Sequence, residues 1–139
     1  MFQMHGWAVV RSDTYESTGE AEATLLARLQ EQIELTQVTN IRVHLDVGLN
    51  GDLHVLSVAG HRNHRYIPVI DLFGWLAANG PGSYGLLYVL DDEDFKTGDF
   101  QNEFRVWRLA RGVLEERSDP FLSPAIPTVE DPYDPAREE

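Results

Sequence analysis

Hydrophobic spacing divides the chain into a short series of elements. Ile41, Val43, Leu45 and Val47 alternate with Arg42, His44 and Asp46, the period of a strand with one buried face. Asn50-Gly51 offers the positive backbone angles of a tight hairpin turn, and Leu53, Val55 and Ser57 continue on a return strand ending near Gly60. Upstream, Trp7, Val9 and Val10 mark a first strand over 5–11. Between these strands Leu25, Leu29 and Ile33 recur every fourth residue beside Leu26, so the spacing predicts an amphipathic helix from Thr18 to Thr36. Ser17-Thr18-Gly19-Glu20 reads as its capping box, with Ser17 and Glu20 satisfying the free amides.

Downstream, Pro68 suits the first turn of a second helix, whose apolar positions from Val69 to Leu76 wrap most of its circumference, and Asn79-Gly80-Pro81 end it. The continuous apolar run Leu86–Leu90 reads as a strand covered on both faces. Phe104, Val106 and Leu109 mark another strand, which Ala110-Arg111-Gly112 turns into a return over 113–117. The expected fold is α+β: an antiparallel or mixed sheet of about six strands with two helices on one face. Its first six elements follow the βαββαβ order of a ferredoxin-like unit, with a C-terminal hairpin added. Residues 1–118 form the domain, and 119–139, proline-rich and acidic, form an extended tail. Trp7, Trp75 and Trp107 are each expected in the core.

Composition narrows the function classes. Among 139 residues there is no cysteine, which removes disulfides, zinc–thiolate sites and thiol nucleophiles. No signal peptide is recognisable, and the apolar run 67–78 is broken by Asp71 and too short to span a bilayer. A cytoplasmic domain with no membrane contact is expected. Twenty-three acids against eleven bases give a net charge of −12, which argues against direct nucleic-acid binding, where phosphate neutralisation supplies most of the affinity. The same charge attracts a basic partner.

Two segments concentrate possible chemistry. Gly60-His61-Arg62-Asn63-His64-Arg65 brings two imidazoles, an amide and arginines into what reads as a loop between strand and helix. His61, Asn63, His64 and Arg65 form a possible binding loop there. Two histidines fall short of the three or four ligands of a zinc site, and the favoured reading is a polar loop whose histidines hold its shape. A small metal- or anion-binding enzyme using His61 and His64 is the alternative. Residues 91–103 hold six acids and one lysine. Their glycine is out of register for an EF-hand, so no metal is assigned. They read better as an acidic contact surface for a basic protein, with Asp91, Asp92, Glu93, Asp94, Asp99 and Glu103 as the charges and Phe95 and Phe100 as apolar anchors. Arg105 and Arg111 are placed to hold part of this acidic chain against the hairpin. Gly80-Pro81-Gly82-Ser83-Tyr84-Gly85 lacks the Lys-Ser/Thr of a P-loop and precedes a strand, so a sharp turn explains its glycines. Ser83 has no nucleophile elbow. No catalytic residue and no cofactor is assigned.

Five segments in order then carry a resemblance: Met4-His5-Gly6-Trp7-Ala8-Val9, Gly60-His61-Arg62-Asn63-His64-Arg65, Pro81-Gly82-Ser83-Tyr84-Gly85-Leu86-Leu87-Tyr88, Asn102-Glu103-Phe104-Arg105-Val106-Trp107 and Asp119-Pro120-Phe121-Leu122-Ser123-Pro124. Together they resemble the immunity protein 7 family of bacterial polymorphic toxin systems, over residues 4–131. That resemblance implies a cytoplasmic α+β protein, encoded beside a toxin, that protects its producer by binding the toxin domain. It implies no catalytic set.

Overall fold

The computed structural model describes residues 1–48, 53–94 and 100–137. Its elements run β1 (Phe2–Val9), α1 (Gly19–Glu34), β2 (Ile41–Asp46), β3 (Val55–Arg62), α2 (Pro68–Asn79), β4 (Tyr84–Asp91), β5 (Arg105–Ala110), β6 (Val113–Ser118) and a single helical turn, α3 (Ala125–Thr128). A short 3-10 turn, Phe100–Asn102, precedes β5. The six strands form one sheet in the order β2-β3-β1-β4-β5-β6, and every neighbouring pair is antiparallel. The chain is α+β, as the spacing implies.

One core face explains the alternation. Phe2, Met4 and Ala8 of β1 are buried with Leu56 and Val58 of β3, Ile41 and Val43 of β2, and Leu87 and Val89 of β4. The same cluster contains Leu25, Leu29 and Ile33 of α1 and Val69, Leu72, Phe73 and Leu76 of α2. Burial of such side chains contributes roughly 1.5–3 kcal/mol each against conformational entropy. The helix stripes therefore exist to cover these strand positions.

Several boundaries differ from the sequence reading. The cap of α1 is Thr18, whose hydroxyl accepts from the Ala21 N–H at 3.0 Å. Ser17 instead accepts from the Asp13 N–H at 3.2 Å, outside the helix. The cap lies one residue later than the spacing suggests, because both hydroxyls precede an acidic first turn. Glu22 ties the incoming chain to α1 by accepting from the Ser12 N–H at 2.9 Å. Burial pushes the Glu22 carboxyl up, but the hydrogen bonds from the Ser12 N–H and hydroxyl, with the nearby Ser17 hydroxyl, outweigh it and hold its pKa below glutamate's ordinary value.

β3 extends through Gly60, His61 and Arg62, which pair in register with Met4, Gln3 and Phe2 of β1. The first half of the expected loop is therefore strand. At its start, Gly60 adopts φ +151° against β2, where a Cβ would fall 2.0 Å from the Asn40 carbonyl oxygen. The proposed Asn50-Gly51 turn lies outside the described residues. The Gly80–Gly85 turn is clamped by Ser83, which is buried. Its hydroxyl accepts from the Arg11 N–H at 3.0 Å and donates to the Arg11 carbonyl at 3.1 Å.

Trp7 does not join the core. It is 43% exposed on the opposite face of the sheet and meets Tyr84 edge-on, with ring centroids 6.2 Å apart. Its odd position in β1 points away from Phe2 and Met4, and alternation outweighs its hydrophobicity. Trp75 and Trp107 pack against the core only partly.

The segment after β6 is not simply extended. The Asp119 N–H donates to the Phe104 carbonyl at 2.9 Å, and its buried carboxylate accepts from the Leu122 N–H at 2.7 Å. The Ser123 hydroxyl accepts from the Phe104 N–H, and Asn102 brackets Ile126 through both its side-chain oxygen and nitrogen. Residues 119–126 thus lie against the start of β5.

Candidate functional site

The end of β4 organises the two polar segments into one place. Asp91 is the last residue of β4, opposite Phe2 in register, so its side chain points to the core face and is only 8% exposed. Arg65, from the connection between β3 and α2, donates through Nε to Asp91 Oδ2 at 2.7 Å and approaches Asp94 at 3.5 Å. The bond to Asp91 raises the Arg65 pKa beyond its already high value. The other Asp91 oxygen accepts from the Glu93 N–H at 3.0 Å, fixing the turn that follows the strand. A buried charge needs such pairing, since isolation would cost several kcal/mol.

Beside this anchored carboxylate Asp92 and Glu93 stay about half exposed, whereas Asp94, next to Arg65, is largely covered. Asp92 pairs with the Met1 α-amino group, whose pKa is raised chiefly by that hydrogen bond. Glu93 accepts from, or pairs with, His64 Nδ1 at 3.1 Å. Arg65 and His64 are therefore joined to the acidic turn across 26 and 29 residues. His61 and Asn63 are not part of this network. His61 is exposed, and its place in β3 opposite Gln3 puts it on the uncovered face of the sheet. Asn63 is exposed in the bend beyond β3. Phe95 and Asp99 lie outside the described residues.

Of the described remainder of the acidic segment, residues 100–103, Glu103 and Phe100 meet Arg105. Arg105 Nη1 donates to Glu103 at 3.0 Å and its Nε to Glu116 of β6 at 2.9 Å, and its guanidinium lies 4.0 Å from the centre of the Phe100 ring. Arg105 thus holds Glu103 and Phe100 against the hairpin, as its charge implied. Arg111 holds none of the described acids; it occupies the β5–β6 turn at φ +50°.

Between the two guanidinium–carboxylate networks is a cleft of about 350 Å³. Phe2, Val89 and Asp91 line it from β1 and β4, Ile67 and Ile70 from α2 and the residue before it, and Trp107 and Glu116 from the hairpin. Arg65, Asp94, Phe100 and Arg105 complete it. The contributions of Trp107, Ile67, Ile70 and Glu116 are not legible in the sequence, whose one signal is the excess of arginine in 104–114 that marks where acids must be met. Among the described residues no three His, Asp or Glu side chains are gathered in a way that could hold a metal ion, and no helix is long and apolar enough to cross a membrane.

A six-stranded α+β domain with a cleft framed by internally paired charges, beside the half-exposed carboxylates of Asp92 and Glu93, has the features of a binding domain. The chain belongs to the immunity protein 7 family, whose sequence model matches residues 1–131. Membership makes it an immunity protein of a toxin system, and its partner a cognate toxin protein. Comparison with curated proteins gives no match, and comparison with solved structures gives none.

Proposed function

We propose that this chain neutralises its cognate toxin by stoichiometric occlusion, without turnover, in the cytoplasm of the producing cell. The observation that carries the reading is the family match across residues 1–131. The geometry supports it in a specific way. Asp92 and Glu93, each about half exposed, project from a turn that the Arg65–Asp91 pair fixes to the sheet. Such charges steer a basic surface without first having to be ordered.

A nuclease is the toxin class these features fit best, because a substrate cleft for nucleic acid presents the positive field that a phosphate-like row of carboxylates complements. In this reading Asp91 and Arg65 position the contact, Asp92, Glu93 and Asp94 make it, and Phe100 and Glu103 flank it. Asp99 and Phe95 are assigned to the same surface from sequence. The order β2-β3-β1-β4 supports treating the first six elements as a ferredoxin-like unit carrying both long helices on its core face. The test is co-expression with the toxin domain encoded beside the chain. Rescued growth and a 1:1 complex by size-exclusion chromatography with light scattering are expected. Neutralisation at far below equimolar protein would replace occlusion with catalysis.

A further inference from the structure

We infer that the cleft between α2 and the β5–β6 hairpin receives an arginine side chain of the partner protein. The inference rests on the toxin-binding reading above and adds a specific contact to it. The first observation is shape: about 350 Å³ of concave space, enough for one long side chain. The second is the arrangement of its walls. Phe2, Val89, Ile67, Ile70 and Trp107 provide an apolar lining that suits the methylene stem of a cationic residue. The third is charge. Three carboxylates, of Asp91, Asp94 and Glu116, line the cleft against two guanidiniums, of Arg65 and Arg105, and Asp92 and Glu93 follow Asp91 in the same turn.

Other occupants fit less well. An anionic side chain would meet the excess of carboxylate. A purely apolar one would remove water from the one-third-exposed Glu116 carboxylate without replacing its hydrogen bonds. A guanidinium offers planar donors to carboxylates and stacks on aromatic faces. The cleft already shows this chemistry internally: Arg105 lies on Phe100 while donating to Glu116. Trp107, half-buried in the same wall, leaves a second aromatic surface.

The first test needs no toxin. Nα-acetyl-arginine amide is titrated into the full-length protein while the indole N–H resonance of Trp107 is followed by NMR, with Nα-acetyl-leucine amide as comparator. A saturable shift is expected with arginine, with a Kd on the order of millimolar, and none with leucine. Ile67→Trp fills the mouth and should weaken that binding about tenfold or more. A Trp107 resonance unmoved at tens of millimolar, or moved equally by both amides, overturns the inference. In the second test, Ile67→Trp should weaken the toxin complex about 30-fold and Glu116→Gln about tenfold, with circular dichroism unchanged. Unaltered affinity in both folded variants overturns it as well. If the wild-type protein does not bind the toxin at all, the functional reading falls, and the amide titration alone decides the cleft.

Discussion

Arg65 and Asp91, 26 residues apart, share a 2.7 Å hydrogen bond at the point where the core face of the sheet meets solvent. Asp91 is nearly enclosed, while Arg65 keeps a third of its side chain exposed. The pair is therefore asymmetric: the carboxylate depends on the guanidinium more than the reverse. Arg65→Met should destabilise the protein by about 2–3 kcal/mol, below the full cost of breaking a buried pair because Arg65 is partly hydrated. Adding Asp91→Leu should recover part of that loss, since no uncompensated charge then remains. Urea denaturation of the two variants measures both effects. A single variant as stable as wild type would show that Asp91 finds another partner.

The same pair marks where the sequence stops being legible. Apolar spacing locates α1 through Leu25, Leu29 and Ile33 and α2 through Pro68 and its apolar turns, because those positions bury against one sheet. It also locates each strand to within a few residues. It misjudges the acidic run, because a string of like charges reads as one solvated surface, whereas alternation along β4 turns Asp91 inward. Nothing local to Asp91 announces Arg65, and nothing local to Arg105 announces Glu116. Long-range pairing of this kind depends on register between strands. The cleft shares that dependence: its lining comes from five separate parts of the chain. Trp7 fails for the converse reason, since hydrophobicity suggested the core and strand parity placed it outside.

Glu22 predicts a pH dependence. Its folded pKa is lowered, so the ionised carboxylate contributes stability that is present above the unfolded value. That contribution is lost as pH falls through the lower folded pKa. The affected window lies below about pH 4.3. Glu22→Gln should cost about 1 kcal/mol at neutral pH by weakening the bonds to Ser12. It should also flatten the acid limb of the stability profile. Thermal melts of both proteins between pH 3 and 7 make the comparison. Parallel acid limbs would assign the acid sensitivity to other carboxylates.

Gly60 tests the register of β3. Its φ of +151° and the 2.0 Å approach of a virtual Cβ to the Asn40 oxygen leave no room for a side chain. Gly60→Ala must therefore move β2 away from β3 or distort the strand, at a cost of about 3 kcal/mol. Ala59, the neighbour on the opposite face, is exposed. Ala59→Ser should change stability by less than about 0.5 kcal/mol. Chemical denaturation of the two variants should separate them clearly. Equal stabilities would mean that β2 does not pack on Gly60 as described.

The division of labour within the acidic turn yields the most direct functional prediction. Reversing all four charges from Asp91 to Asp94 would confound binding with folding, because Asp91 is enclosed and bonded to Arg65. Asp92 and Glu93 are each about half exposed, so the double variant Asp92→Lys, Glu93→Lys should fold normally. It changes the local charge by four units at a point where the toxin is proposed to approach. Long-range attraction acts mainly on the rate of encounter and is screened by salt. The variant should therefore associate with the toxin about 10-fold more slowly at low salt. The difference should shrink as ionic strength rises, while the dissociation rate changes less. Stopped-flow or surface-plasmon measurements across a salt series resolve the two rates. If association is unchanged at low salt, the toxin approaches another face, and the carboxylates after β4 serve only to hold Arg65 and His64 in place.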